Sequence, residues 1–227
     1  MANYNFNDSV RIDVQNVSLI GDLVIPEEAK GLVVFSHGSG SSRLSPRNRF
    51  VAEHLQRSGY ATLLFDLLTP EEDEETKNRF DIPMLTKRLI DTTDWIQQDP
   101  RTADFNIAYF GASTGAASAL GAAAALGNDI IKAVVSRGGR PDLADTALPD
   151  VQVPVLLIVG GKDESVLEMN IQANNKLLGI KDVEIVPDAT HLFEEPGALE
   201  MCAQLATDWF RKYLPPKKQQ PLRQNQP

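Results

Sequence analysis

The chain has 227 residues, enough for one large domain or two small ones with a substantial core. Its formal net charge of −9 argues against a protein that grips nucleic acid or an anionic membrane through a basic surface, and 42% hydrophobic with 23% charged residues is the balance of a soluble globular chain. A single cysteine, Cys202, excludes an intramolecular disulfide and a cysteine cluster for zinc.

The first residues, Met1 to Asp8, show no basic stretch followed by an apolar core, so no signal peptide is expected. No apolar run approaches the ~20 residues of a membrane-spanning helix, and a cytoplasmic protein is the simplest expectation. The first strand is read at Leu19 to Ile25, ended by Pro26. Gly31 to Ser36 is a continuous apolar run, the pattern of a strand buried on both faces. A loop from His37 to Pro46 precedes a helix over Arg47 to Ser58, stopped by Gly59. Tyr60 to Phe65 is the next strand. The acidic run Glu71 to Glu75 then reads as a solvated loop. Thr86 to Gln98 carries Leu89, Ile90, Thr93 and Ile96 at helical spacing.

Ile107 to Phe110 is a strand, and alanine-rich Ala116 to Leu126 is a strong helix former ending at Gly127. Ile131 to Val135 is a strand, Val155 to Val159 another, Ser165 to Leu178 a helix and Val183 to Val186 a strand. Ala198 to Tyr213 is the last helix. Strands alternating with helices predict an α/β fold with a mostly parallel sheet and helices on both faces. The segment 66–83 is too short for a large cap domain. A single domain over residues 1–214 is expected, with a flexible tail over 215–227, a stretch rich in Pro, Gln and basic residues.

Between the strand at Ile107 and the alanine-rich helix lies Gly111-Ala112-Ser113-Thr114-Gly115, a G-x-S-x-G pentapeptide. Roughly one unrelated chain of this length in fifteen would contain such a pentapeptide by chance. Its position decides its meaning, because a serine between a strand and a helix is the context of a nucleophile at a sharp turn. Three further features fall at strand ends, where chemistry on open α/β sheets is placed. Asp163 follows the strand at Val155. His191 follows the strand at Val183. His37-Gly38-Ser39-Gly40 follows the strand ending at Ser36, where a glycine-containing loop can turn an N–H toward a developing oxyanion. Ser39 and Thr114 are the expected N–H donors. Ser113, Asp163, His191 is the triad order of the α/β-hydrolase architecture.

On these residues the chain resembles the α/β-hydrolases, and within them the dienelactone hydrolase family. The resemblance covers roughly residues 10–214 and rests on His37 to Arg43, Gly111 to Gly115, Gly161-Lys162-Asp163 and Thr190-His191. Founding members of that family use a cysteine nucleophile on a lactone, whereas this chain has serine at the position, which looks more like a carboxylesterase. The resemblance implies an α/β-hydrolase fold and a serine hydrolase acting on small or medium soluble esters through an acyl-enzyme. A lactonase or thioesterase with the same triad, or a non-catalytic binding protein on this fold, are the alternatives. Neither a metal nor an organic cofactor is implied, and no nucleic-acid or membrane partner is expected.

Each residue also has a plainer reading. Asp163 could serve only as the cap of the helix at Ser165. Glu164 and Asp188 lie close by in sequence. His37 could support its loop, and His54, one turn after Phe50, is expected to be structural. Arg43, Arg137 and Arg140 could clamp a substrate carboxylate or pair with acidic side chains, and for Arg137 and Arg140 the pairing is the favoured expectation.

Overall fold

The computed structural model describes residues 3–216; nearly all of the expected flexible tail, 215–227, lies outside them. Eight strands form one sheet: β1 (Tyr4–Val14), β2 (Val17–Pro26), β3 (Leu32–Ser36), β4 (Ala61–Phe65), β5 (Ile107–Ala112), β6 (Ile131–Arg137), β7 (Val155–Gly160) and β8 (Lys181–Val186). Their spatial order is β1-β2-β4-β3-β5-β6-β7-β8. The first two pairings, β1 with β2 and β2 with β4, are antiparallel, and every later one is parallel. The expected α/β class, with a mostly parallel sheet, is what the chain forms. Its central strands β3 to β7 are the apolar runs of the sequence, buried along their whole length apart from Lys132 in β6.

The strand β1 lies ahead of the first strand read from the sequence. Its run of Asn, Asp and Arg hides the signal, because Val10, Ile12 and Val14, with Phe6 partly buried, point inward from an edge strand whose other face meets water.

The described residues form six α-helices, of which all but the short α2 cover the sheet: α1 (Pro46–Arg57), α2 (Pro70–Asp73), α3 (Ile82–Gln98), α4 (Thr114–Ile130), α5 (Glu164–Lys176) and α6 (Ala198–Tyr213). One face packs against α1 and α6, burying Phe35, Leu55, Phe110, Ile158, Cys202 and Phe210. The other packs against α3, α4 and α5, burying Leu63, Leu89, Tyr109, Leu120, Leu157 and Ala173. Helix α4 breaks at Gly127, whose φ of 69° no helix interior adopts.

Two expectations change here. The acidic run is not simply a solvated loop. Thr69 and Glu72 form a capping box that starts α2, Glu72 reaches Arg88, and Asp73 holds Arg79 at 2.9 Å. Helix α3 begins four residues earlier than read, because the Asp81 carboxylate accepts from the Met84 N–H at 3.0 Å and Pro83 is tolerated in a first turn. Residues 66–83 therefore make short capped turns and no cap domain.

The strand order reverses at β3, which has β4 on one side and β5 on the other. In open α/β sheets the crevice outside the carboxyl ends at such a switch is where ligands bind. The loops leaving β3 and β5 carry His37 to Gly40 and Ser113.

Candidate active site

Strand β5 runs into Ser113, which has φ 52° and ψ −124°, a conformation costly for any residue with a Cβ. The turn persists because its flanks are glycine. A Cβ at Gly115 would stand 2.1 Å from the Ser36 carbonyl oxygen, and one at Gly111 would stand 2.5 Å from the Ala116 Cα. Small residues on both sides let α4 sit against the sheet, and Ser113 is delivered half-buried at the strand end. Its N–H donates to the Arg137 carbonyl of β6 at 3.2 Å, and its carbonyl accepts from the Arg140 N–H at 3.0 Å.

Asp163 and His191 meet. The Asp163 carboxylate lies 2.7 Å from His191 Nδ1, across a separation of 28 residues. With Nδ1–H donating, Nε2 is left as the acceptor on the opposite side of the ring. Asp163 does occupy the cap position of α5, but its side chain makes no cap hydrogen bond. The carboxylate is mostly buried, at 13% exposure, while the His191 side chain is 39% exposed. Glu164 is the first residue of α5, and Asp188 points to Lys162 at 3.0 Å, so neither competes for the imidazole. Gly138 ties this pair to the serine: its Cα lies close enough that an added Cβ would be 3.5 Å from His191 Nδ1, and its neighbour Arg137 accepts from the Ser113 N–H.

The loop after β3 presses on the same serine, since a Cβ at Gly38 would be 2.9 Å from the Ser113 Cβ. Within this loop, His37 Nδ1 lies 3.0 Å from the Gly38 carbonyl and Nε2 accepts from the Leu67 N–H at 3.0 Å. That pattern assigns the neutral ring with its proton on Nδ1. Burial pushes the His37 pKa below its ordinary value. His37 thus staples the β3 loop to the β4 loop, a structural task. His54 lies in α1.

Of the two expected oxyanion donors, Thr114 stands at the first position of α4, where a helix leaves N–H groups without internal partners. The Ser39 N–H is not open: it donates to the Thr114 hydroxyl at 2.8 Å. The sequence offers no sign of this link, which spans 75 residues.

The three arginines separate. Arg43 binds Asp66 at 2.6 Å and Asp22 at 3.5 Å, and Arg140 binds Asp142 at 2.7 Å, so both take the pairing reading. Arg137 is buried at the end of β6 with Nε and Nη1 unpartnered. Cys202 is also buried, with its thiol pushed up to about 12, which keeps it protonated and unreactive. Among the described residues no cluster of three or more His, Cys, Asp or Glu is placed to hold a metal ion, and no helix is long and apolar enough to cross a membrane.

The dienelactone hydrolase family model matches residues 20–214. This chain belongs to the dienelactone hydrolase family. It is 55% identical to a dienelactone hydrolase from Anabaena variabilis, whose crystal structure superimposes with a TM-score of 0.89 over 92% of this chain and 98% of that one. Est1E from Butyrivibrio proteoclasticus shares the fold at 18% identity, with a TM-score of 0.77 over 90% of this chain and 98% of that one. Two proteins from strains of Mycobacterium tuberculosis are 54% identical over 208 residues, 92% of this chain, and carry the provisional name phosphoribosyl transferase. The chain spans about half of their length, 47%.

Proposed function

We propose that this member of the family is a serine hydrolase that cleaves carboxylic esters of small or medium soluble substrates through an acyl-enzyme. The observation that carries the reading is the 2.7 Å contact of Asp163 with His191 Nδ1, at the same end of the sheet as a serine held at φ 52°. His191 Nε2 takes the Ser113 proton as the serine oxygen attacks the ester carbonyl. Asp163 fixes the tautomer and stabilises the imidazolium that forms. The Thr114 N–H, at the positive end of α4, meets the oxyanion. The Ser39 N–H joins it by exchanging the Thr114 hydroxyl for the developing charge. His191 then returns its proton to the leaving alcohol, and a water that it activates releases the acid. The transferase name of the longer relatives is not carried over, since the chain spans about half of their length.

The test is hydrolysis of a short nitrophenyl ester by the wild type and by Ser113→Ala, together with labelling by an organophosphonate. The variant is expected to lose several orders of magnitude in kcat/KM, as removal of a triad nucleophile does, and to escape the label. Equal turnover by the variant would overturn the reading.

A further inference from the structure

Arg137 is the only Lys, Arg, Asp or Glu among the described residues that is buried, at 7% exposure. It ends β6, two residues after Val135, which faces α1 and α6; strand alternation sends the Arg137 side chain to the same face. Its Nε and Nη1 are sealed from solvent and have no hydrogen-bond partner among the described residues. Across from it, the first turn of α1 contributes more unsatisfied polar groups: Arg47 Nε and Asn48 Oδ1 are likewise sealed and unpartnered. Arg47 has a carboxylate only on its outer side, where Nη1 meets Glu194 at 3.1 Å. Arg137 is within electrostatic reach of Arg47 and Cys202, so the charge beside the buried guanidinium is another cation.

An arginine does not shed its proton under ordinary conditions, and a buried charge without a counter-charge is costly. Two guanidinium groups within electrostatic reach of each other, each with an idle donor, answer that cost if an anion joins them. We propose that Arg137 and Arg47 form a binding site for a small carboxylate-like anion, where the tip of β6, the first turn of α1 and the first half of α6 meet. The planar fork of donors suits the two oxygens of a carboxylate. Two sources share this chemistry. One is a carboxylate on the ester itself, because the Arg137 carbonyl binds the Ser113 N–H and so sets the guanidinium's own backbone beside the proposed nucleophile. The other is a free carboxylate from solution. Only the first source rests on the ester-hydrolase reading; the site does not.

The full chain is melted while acetate replaces a bulky sulfonate at constant ionic strength. The wild type is expected to show a saturable rise in Tm, and Arg137→Met to show none. Methionine fills a similar volume without charge, which buried sites accept well. Arg47→Gln is expected to weaken the acetate midpoint by on the order of tenfold. No response in the wild type, or the same response in Arg137→Met, overturns the site. The source is then read from kinetics with a nitrophenyl monoester of glutaric acid against nitrophenyl butyrate. If the ester's own carboxylate is the ligand, Arg137→Met lowers the acidic-to-neutral ratio of kcat/KM by about tenfold or more. If a free anion is the ligand, that ratio holds and acetate shifts the melt alone. Ser113→Ala, which tests the hydrolase reading, is expected to keep the acetate response, so the two ideas fail separately.

Discussion

The serine turn and the histidine loop stand at the same end of the sheet, yet the loop depends on side-chain anchors that the turn does without. The turn from Gly111 to Gly115 is fixed by backbone contacts: added methyl groups would lie 2.5 Å and 2.1 Å from neighbouring main chain. The loop from Asp188 to Phe193 adds side-chain anchors to main-chain ones, for the Lys162 N–H donates to the Ala189 carbonyl at 2.9 Å and a Cβ at Gly160 would stand 2.4 Å from that oxygen. It takes positive φ at Asp188 (60°) and Phe193 (56°), neither a glycine. It is anchored by the buried Phe193 ring, the Thr190 hydroxyl on Glu195 at 2.6 Å, and the Asp163–His191 bond. A turn set by packing of the main chain should fail as a whole. A loop that also depends on individual side chains should lose one property at a time.

The largest effect is expected at the turn. Gly115→Ala forces a methyl onto the Ser36 carbonyl and should cost more than about 4 kcal/mol, a large share of the stability of an ordinary domain, read as a steep fall in Tm. A wild-type Tm for this variant would show that main-chain crowding does not set the turn. In the loop, Asp163→Asn should lower kcat by about 10⁴ while the melt stays close to wild type. Parallel loss of fold and turnover would instead return Asp163 to the role of a helix cap. Phe193→Ala should cost about 3–5 kcal/mol, measured by denaturant unfolding, since its ring is 1% exposed. A smaller loss would mean that the polar bonds alone hold the loop.

The smallest effect concerns pH and the loop on the other side of the serine. The folded state holds His37 neutral below the pH at which the unfolded chain protonates it, near its ordinary value of 6.5. The unfolded chain therefore binds more protons in that window, and stability is complete above it and falls as pH drops through it. Comparing Tm at pH 7 and pH 5 should show a drop in the wild type and a shallower one in His37→Asn. An unchanged slope would show that His37 does not carry the drop.

Much of the site was legible from residue order. The pentapeptide, the aspartate after β7 and the histidine after β8 each follow an apolar run, and buried parallel strands are the easiest elements to read. Edge elements were harder. Strand β1 carries its apolar residues only at alternate positions among polar ones, and the acidic run hides a capped turn whose partners, Arg79 and Arg88, lie up to 16 residues on. The three arginines looked alike in sequence, all near strand ends. Their difference depends on whether a carboxylate from elsewhere arrives beside them, as Asp22 and Asp66 do for Arg43 and, among the described residues, none does for Arg137.

By itself the sequence determined the α/β class, the serine turn and the order of the three polar residues, because periodicity and glycine placement are local properties of the chain. Only the tertiary structure decided that Asp163 gives its carboxylate to His191 and not to its own helix, that the Ser39 N–H is held by Thr114, and that Arg137 Nε and Nη1 lie buried without a partner among the described residues. Hydrogen bonds and charge pairs join residues 28 and 75 positions apart. Which donor meets which acceptor is set by the sheet that brings the strand ends together.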